Sequence, residues 1–186
     1  MILKDKLRKK FFNVRKKRYK ELRPDNFIDL IKYLKKKYKN KKNILISLYY
    51  PSNYELDVLK IFKNSNFNNF VTLLPVIEKK HKMKFVKWDM NDLLKLNQYG
   101  IPEPLNIKKN FTPDVMLIPL LAFDKFKNRL GYGKGYYDKF LGKFISINHH
   151  IETIGIAFSF QKYKKLPIAK HDISLNQIFT ERGFIK

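Results

Sequence analysis

Between Arg129 and Asp138 the chain reads Arg-Leu-Gly-Tyr-Gly-Lys-Gly-Tyr-Tyr-Asp. Gly131, Gly133 and Gly135 stand at alternate positions and carry no Cβ, so their backbone N–H groups are free to converge on an anion. A helix predicted to open near Gly135 adds its positive N-terminal end. Arg129 and Lys134 supply full charges, and a guanidinium can grip phosphate through two parallel hydrogen bonds. Together these make a phosphate cradle, although glycines at this spacing also make simple tight turns. Asp138 follows one turn into the helix, on the side facing the loop. A carboxylate beside a phosphate nest is unfavourable unless a cation lies between them, which makes Asp138 a candidate Mg²⁺ ligand. The spacing matches neither a Walker A loop nor a dinucleotide fingerprint.

Other candidates are weaker when read alone. Lys4 and Arg8 are one helical turn apart and share a face, which suits either a polyphosphate clamp or a solvated basic face. Glu55 lies just past a predicted strand end, where α/β sheets bind ligands; an acid facing a helix dipole is the plainer reading. Asp172, beside His171, reads as ordinary surface. His81, His149 and His150 have no partners at metal-ligand spacing and read as surface residues. Phe85 is assigned to the core of a strand, with Met83 and Trp88 as candidates to line a pocket. Phe123 and Asp124 are expected to fix the base of the glycine loop by packing and turn hydrogen bonds.

The elements that must position these groups follow from periodicity. Leu3, Leu7, Phe11 and Val14 repeat at helical spacing, which predicts a helix from Met1 to about Leu22, ended by Pro24. A second helix carries Phe27, Leu30, Ile31, Leu34 and Tyr38 on one face. Ile44 to Tyr49 is a short apolar run that suits a buried strand. Tyr54 to Lys63 returns to helical spacing. Strands are predicted over Phe70 to Leu74, ending at Pro75, and over Met83 to Trp88. Asn91 to Lys95 reads as a short helix or turn. Gly100-Ile101-Pro102-Glu103-Pro104 reads as irregular, because proline and glycine break both ladders. Val115 to Ile118 is a strand, Tyr136 to Phe144 a helix, Thr153 to Phe158 a strand, and Ile178 to Thr180 a short late strand. Strands alternating with helices predict one α/β domain over residues 1–186 with a largely parallel sheet.

Bulk properties bound the function. A chain of 186 residues that is 44% hydrophobic and 15% aromatic supports one folded core. It has no cysteine, which excludes disulfides, thiolate metal sites and a cysteine nucleophile. No apolar run approaches the roughly 20 residues a membrane span needs, and the charged start at residues 1–23 does not read as a secretory signal. The formal charge is +24. That number raises nucleic-acid binding as the alternative function. The charge is spread along the whole chain, however, and Lys, Asn, Ile, Phe and Tyr are abundant together. The pattern therefore fits compositional drift, with attraction of polyanionic ligands as a by-product. A small-molecule kinase built on the same loop is a further alternative.

The stretch from Asp114 to Leu141, DVMLIPLLAFDKFKNRLGYGKGYYDKFL, resembles the signature of 5-formyltetrahydrofolate cyclo-ligases, also called 5,10-methenyltetrahydrofolate synthetases. Lys4-x-x-Leu7-Arg8, Tyr54-Glu55-Leu56-Asp57, Pro75, Met83, Phe85, Gly100 to Pro104, Gln161 and His171-Asp172 stand in the order that family shows, so the resemblance covers essentially the whole chain. Leu120, where many members carry glycine, and Tyr132, at a variable position, depart from the pattern without touching a charged or glycine position. The resemblance implies a three-layer α/β/α domain like that of the NagB, ribose-5-phosphate isomerase and CoA-transferase group. It implies a cytoplasmic, monomeric enzyme that uses Mg-ATP on a 5-formyltetrahydrofolate, polyglutamylated or not. It assigns ATP contacts to Lys4, Arg8, Arg129, Gly131, Tyr132, Gly133, Lys134, Gly135, Tyr136 and Tyr137. Folate contacts fall on Tyr50 and Glu55, on Met83 and Trp88 as the pterin pocket, and on the loop from Tyr132 to Tyr136. Arg129, Lys134 and Tyr136 are its catalytic candidates, and Asp172 joins Asp138 as the second Mg²⁺ ligand.

Overall fold

A computed structural model describes residues 2–64, 67–79, 82–107, 109–145 and 150–185. His81 and His149 lie outside the described residues.

The apolar runs form the strands of one sheet. These are β1 (Ile44–Ser47), β2 (Phe70–Glu78), β3 (Lys82–Lys87), β6 (Val115–Pro119), β9 (Glu152–Ile156), β10 (Gln177–Thr180) and β11 (Gly183–Phe184). Their order is β11-β10-β9-β6-β1-β2-β3. The five from β10 to β2 run parallel, and β3 and β11 close the two edges antiparallel. The sheet is apolar on both faces, as a parallel sheet covered by helices must be. In β6, Val115 and Leu117 face one core, and Met116 and Ile118 face the other.

Helix α2 (Ile28–Lys37) and helix α3 (Leu59–Asn64) belong to the first core, where Leu30, Leu34 and Ile61 meet Ile46, Leu117 and Ile154. Helix α4 (Tyr136–Ile145) covers the opposite face through Phe140 and Leu141, which meet Met116, Ile118 and Phe85. Each fully buried Leu, Ile or Phe contributes about 1.5–3 kcal/mol. The result is a single α/β domain of three layers. Helix α1 (Ile2–Arg18) lies apart from both faces. Its Leu7 and Phe11 pack on Leu121, Ala122, Leu130 and Leu166, which places α1 against the segment leading into the glycine loop.

Several element boundaries differ from expectation. Strand β2 runs through Pro75 instead of stopping there. Its parallel pairing with β1 ends at Ser47 opposite Leu73, so Pro75 is paired only with Phe85 of β3, and a missing N–H on the open side costs nothing. Pro102 to Pro104, read as irregular, forms strand β5, which pairs with β4 (Leu94–Leu96). Asn97 donates to the Ile101 carbonyl and Leu105 to that of Leu93, so the bonded pairs fall on odd-numbered residues. Both prolines occupy non-hydrogen-bonded positions, where they need no donor. The helix expected from Tyr54 starts only at Leu59, because residues 52–55 form a turn with Asn53 and Tyr54 at φ of 50° and 65°. Asp57 then accepts from the Leu59 N–H at 3.0 Å. Helix α1 ends at Arg18, four residues early.

Candidate active site

The chain runs from β1 to β2 on one side of the sheet, then returns to place β6 on the other side of β1. Parallel sheets bind ligands in the crevice outside the strand ends at such a reversal. A cavity of about 410 Å³ opens there. Tyr49 and Tyr50 after β1 and Pro119 at the end of β6 form its floor. The volume is that of an ordinary small-molecule site.

The glycine loop supplies one wall. The antiparallel pair β7 (Ala122–Phe123) and β8 (Arg129–Leu130) brings Arg129 back beside the sheet end. Asp124 is fully buried beneath it and accepts from the N–H groups of Phe126, Asn128 and Leu166 at 2.9–3.1 Å. That is the anchoring expected for the loop base. Gly133 and Gly135 have φ of 97° and 68°, which only glycine adopts without strain. A Cβ on Gly133 would also come within 3.1 Å of the Arg8 guanidinium. Arg8 holds the loop by donating from Nε to the Gly131 carbonyl at 3.0 Å. Lys134 lies on the cavity wall, and no partner for its amine is described, so it is placed to meet an anion.

Arg129 lines the same cavity, but its fork is already occupied. One nitrogen donates to the Ile173 carbonyl at 2.7 Å and another to Asp138 Oδ1 at 2.6 Å. Burial pushes its pKa down, and the Asp138 carboxylate opposes that. Asp138 also accepts from the Ile173 N–H at 3.2 Å, so the 172–173 segment lies directly against it. Asp172 is paired with Lys4 of α1 and accepts from the Ala169 N–H at 2.6 Å. Burial alone would raise the Asp172 carboxyl; the Lys4 and Ala169 hydrogen bonds and the Lys4 and Arg129 charges outweigh it and bring it below the ordinary range. Lys4, Arg8, Asp138 and Asp172, separated by most of the chain, thus line one cavity.

Glu55 also lines the cavity. The 52–55 turn aims it inward, with Oε2 accepting from the Ser52 N–H at 2.9 Å, and Oε1 accepts the Tyr132 hydroxyl. Burial raises the Glu55 pKa, opposed first by the charge of Arg15 and then by the Tyr132 and Ser52 hydrogen bonds. Tyr136 meets Tyr99 hydroxyl to hydroxyl at 2.9 Å, and burial together with that bond pushes it up to about 12. Burial likewise raises Tyr137, with the Glu55 charge adding to it. Both stay protonated and remain donors.

Met83 lines the cavity with Tyr50, but Trp88 does not. Trp88 is 5% exposed within the core on the α2 side. The reason is parity: residues 83 and 88 are five apart on an extended segment, so they point to opposite faces. Phe85 shares the Met83 face and is fully buried. Residues that carried no site role in the sequence reading complete the site. Asn97, Tyr99, Ile101 and Pro102 come from the β4–β5 hairpin, which reaches the cavity from a separate two-stranded sheet. Arg15, buried behind the loop, was also without a signal, since one more arginine in a basic helix is unremarkable.

A sequence profile described as the 5-formyltetrahydrofolate cyclo-ligase family matches residues 2–181. The chain belongs to this family. A 5-formyltetrahydrofolate cyclo-ligase of Haemophilus influenzae is 32% identical over 139 residues, covering 72% of this chain and 73% of the relative. The solution structure of a 5,10-methenyltetrahydrofolate synthetase from Aquifex aeolicus matches with a TM-score of 0.75 at 28% identity, covering 98% of this chain and 91% of that one. A 5,10-methenyltetrahydrofolate synthetase structure from Mycoplasma pneumoniae matches with a TM-score of 0.68 at 25% identity, covering 94% and 96%. In this cyclo-ligase the glycine loop, both aspartates and Glu55 share one cavity.

Proposed function

We propose that the protein converts 5-formyltetrahydrofolate to 5,10-methenyltetrahydrofolate at the expense of ATP, releasing ADP and phosphate. The observation that carries this reading is the convergence on one cavity of a glycine phosphate cradle, two aspartates and a buried glutamate. A nucleotide tail and a neutral heterocycle rich in N–H donors need those two kinds of wall at once.

The N5-formyl carbonyl is a formamide, and its oxygen is a poor leaving group. Transfer of the γ-phosphoryl group to that oxygen turns it into a good one. N10 then attacks the formyl carbon and gives up its proton, the C–O bond breaks, and phosphate departs with that oxygen. The residues must align the γ-phosphate with the formyl oxygen and neutralise charge as it spreads over the phosphoryl oxygens. The amides of Gly131, Gly133 and Gly135 and the Lys134 amine carry out that neutralisation. Arg129 contributes its charge from behind Asp138, since its fork is occupied. Tyr136 and Tyr137 donate hydrogen bonds towards the substrates, and Glu55 accepts from the pterin N–H groups, beside Tyr50 and Met83.

The donor set fits Mg²⁺. Among the described residues no cluster of three or more histidines, cysteines or carboxylates exists, so an ion that demands an all-protein cage is not served. Mg²⁺ keeps waters and takes one or two carboxylates plus phosphate oxygens, and Asp138 and Asp172 would supply those carboxylates. When bound, it would screen the β- and γ-phosphate charge. Lys4 now holds Asp172 and would be released towards the phosphates, while Arg129 would stay behind Asp138.

Mixing the protein with Mg-ATP and 5-formyltetrahydrofolate should raise the near-ultraviolet absorbance of the methenyl product and release free phosphate stoichiometrically. A stable phosphorylated product with no absorbance rise would identify a kinase instead.

A further inference from the structure

Arg15 is 1% exposed and touches neither the cavity nor a carboxylate. It donates to the Leu120 carbonyl at 3.2 Å and to the Tyr132 hydroxyl at 2.6 Å, and its guanidinium stands 5.5 Å from the centre of the Tyr132 ring. Its Nε finds no partner among the described residues. A buried arginine so sparsely bonded is unfavourable unless its charge is used nearby. The use is one bond away. An arginine can only donate, so the Tyr132 oxygen must accept from Arg15, and the single Tyr132 proton is left for Glu55 Oε1. The proton order is therefore fixed from Arg15 through Tyr132 to Glu55.

We propose that Arg15 is a positioning residue that acts through the Tyr132 hydroxyl to keep Glu55 ionised and aimed into the cavity. The consequence for folate rests on the reading of Glu55 as a pterin acceptor: an ionised Glu55 accepts from N–H donors, whereas a protonated one would present a hydrogen to them. The groups facing Glu55 agree with this. Burial drives the carboxyl towards its neutral form, and the Arg15 charge is the main force against it. Tyr49 and Tyr137, the other titratable groups near it in the cavity, are held protonated by burial and by Glu55 itself. Behind Glu55 a small crevice is lined by Tyr19, Lys20, Glu21 and Asp57, and Lys60, paired with Glu21, offsets the second of the two acids. The geometry of α1 adds to the case. Arg8 and Arg15 are seven residues apart, two turns on one helical face, and they hold neighbouring loop residues, Gly131 and Tyr132. One helix therefore fixes both the phosphate loop and the carboxylate bonded to it.

The test reads Glu55 directly, in ligand-free protein carrying ¹³C at the glutamate carboxyls, with the Glu55 resonance identified by its loss in Glu55→Gln. Arg15→Met should move the Glu55 titration midpoint upward by about one pH unit or more, and Arg15→Lys should restore most of the difference. Tyr132→Phe removes only the hydroxyl and should also move the midpoint upward, which serves the test even if Arg15→Met does not fold. In turnover, Arg15→Met should raise the KM for 5-formyltetrahydrofolate increasingly as the pH is lowered, with the KM for ATP little changed. An unchanged Glu55 midpoint in Tyr132→Phe and in folded Arg15→Met would overturn the proposal. A raised midpoint with an unchanged folate KM would uphold the Arg15–Glu55 link and strike only the folate role of Glu55.

Discussion

At the residue scale, Lys134 and Asp138 divide the work of charge. Lys134 has no described partner and waits on the cavity wall, so its removal disturbs no existing bond. Lys134→Ala should cost about 2–4 kcal/mol of transition-state stabilisation, read as a fall in kcat with the thermal midpoint unchanged. Asp138 is different, since it holds Arg129 at 2.6 Å. Asp138→Asn keeps the one oxygen that accepts from Arg129 and Ile173 but removes the charge. It should raise the Mg²⁺ concentration for half-maximal activity roughly tenfold or more, the loss that even a perturbed outer-shell ligand produces. Unchanged turnover in both variants would place the phosphate site elsewhere.

At the element scale, two contacts outside the cavity lining keep the sheet and helices in register. Glu152 opens β9 and is almost fully enclosed. It accepts the Tyr33 and Tyr38 hydroxyls and the Lys37 amine of the α2 region. Burial would raise its carboxyl, but the Lys37, Tyr33 and Tyr38 hydrogen bonds win and lower it. The folded form therefore takes up this proton at lower pH than the unfolded chain does. The stability it contributes is whole above the ordinary glutamate range and is lost as the pH falls below it. Urea unfolding from about pH 6 down to pH 3 should show that loss in the wild type and a flatter profile in Glu152→Gln. Gly155 lies in the middle of the same strand, and a Cβ there would come within 2.6–2.8 Å of methyl groups of Leu175, Ile178 and Leu120. Gly155→Ala should destabilise by about 1–3 kcal/mol through overpacking, measured as a lower urea midpoint at constant slope.

At the scale of the whole molecule, the +24 charge acts as a field and not as a site. Pairs such as Arg8–Asp5 and Lys60–Glu21 lie at the surface, where each is worth little, and the excess cations attract any polyanion. With ATP and a polyglutamyl folate as substrates, kcat/KM should fall as salt is raised while kcat holds, because long-range attraction is screened within about 8 Å at physiological ionic strength. Binding to an arbitrary DNA duplex should be weak and vanish over the same salt range; tight binding that survives salt would revive the nucleic-acid reading.

The glycine loop with its flanking charges, the alternation of strands and helices, and the burial of Phe85 were legible in the residues themselves. Each depends on local rules: missing Cβ atoms, helical spacing, alternating faces. Pairing of Lys4 with Asp172, of Glu55 with Tyr132 and of Arg15 with Tyr132 depends on which strand ends meet, and nothing local encodes that. The same holds for Trp88, where the side chain was evident but its face depended on the register of β3, and for Pro75 and Pro102, whose tolerance came from the open side of a ladder. Local chemistry thus determined the bare amides and the charges that the loop presents. The reversal of strand order between β1 and β6 decided which distant residues stand around it, because only chain topology brings the first helix and the last loop to the same crevice.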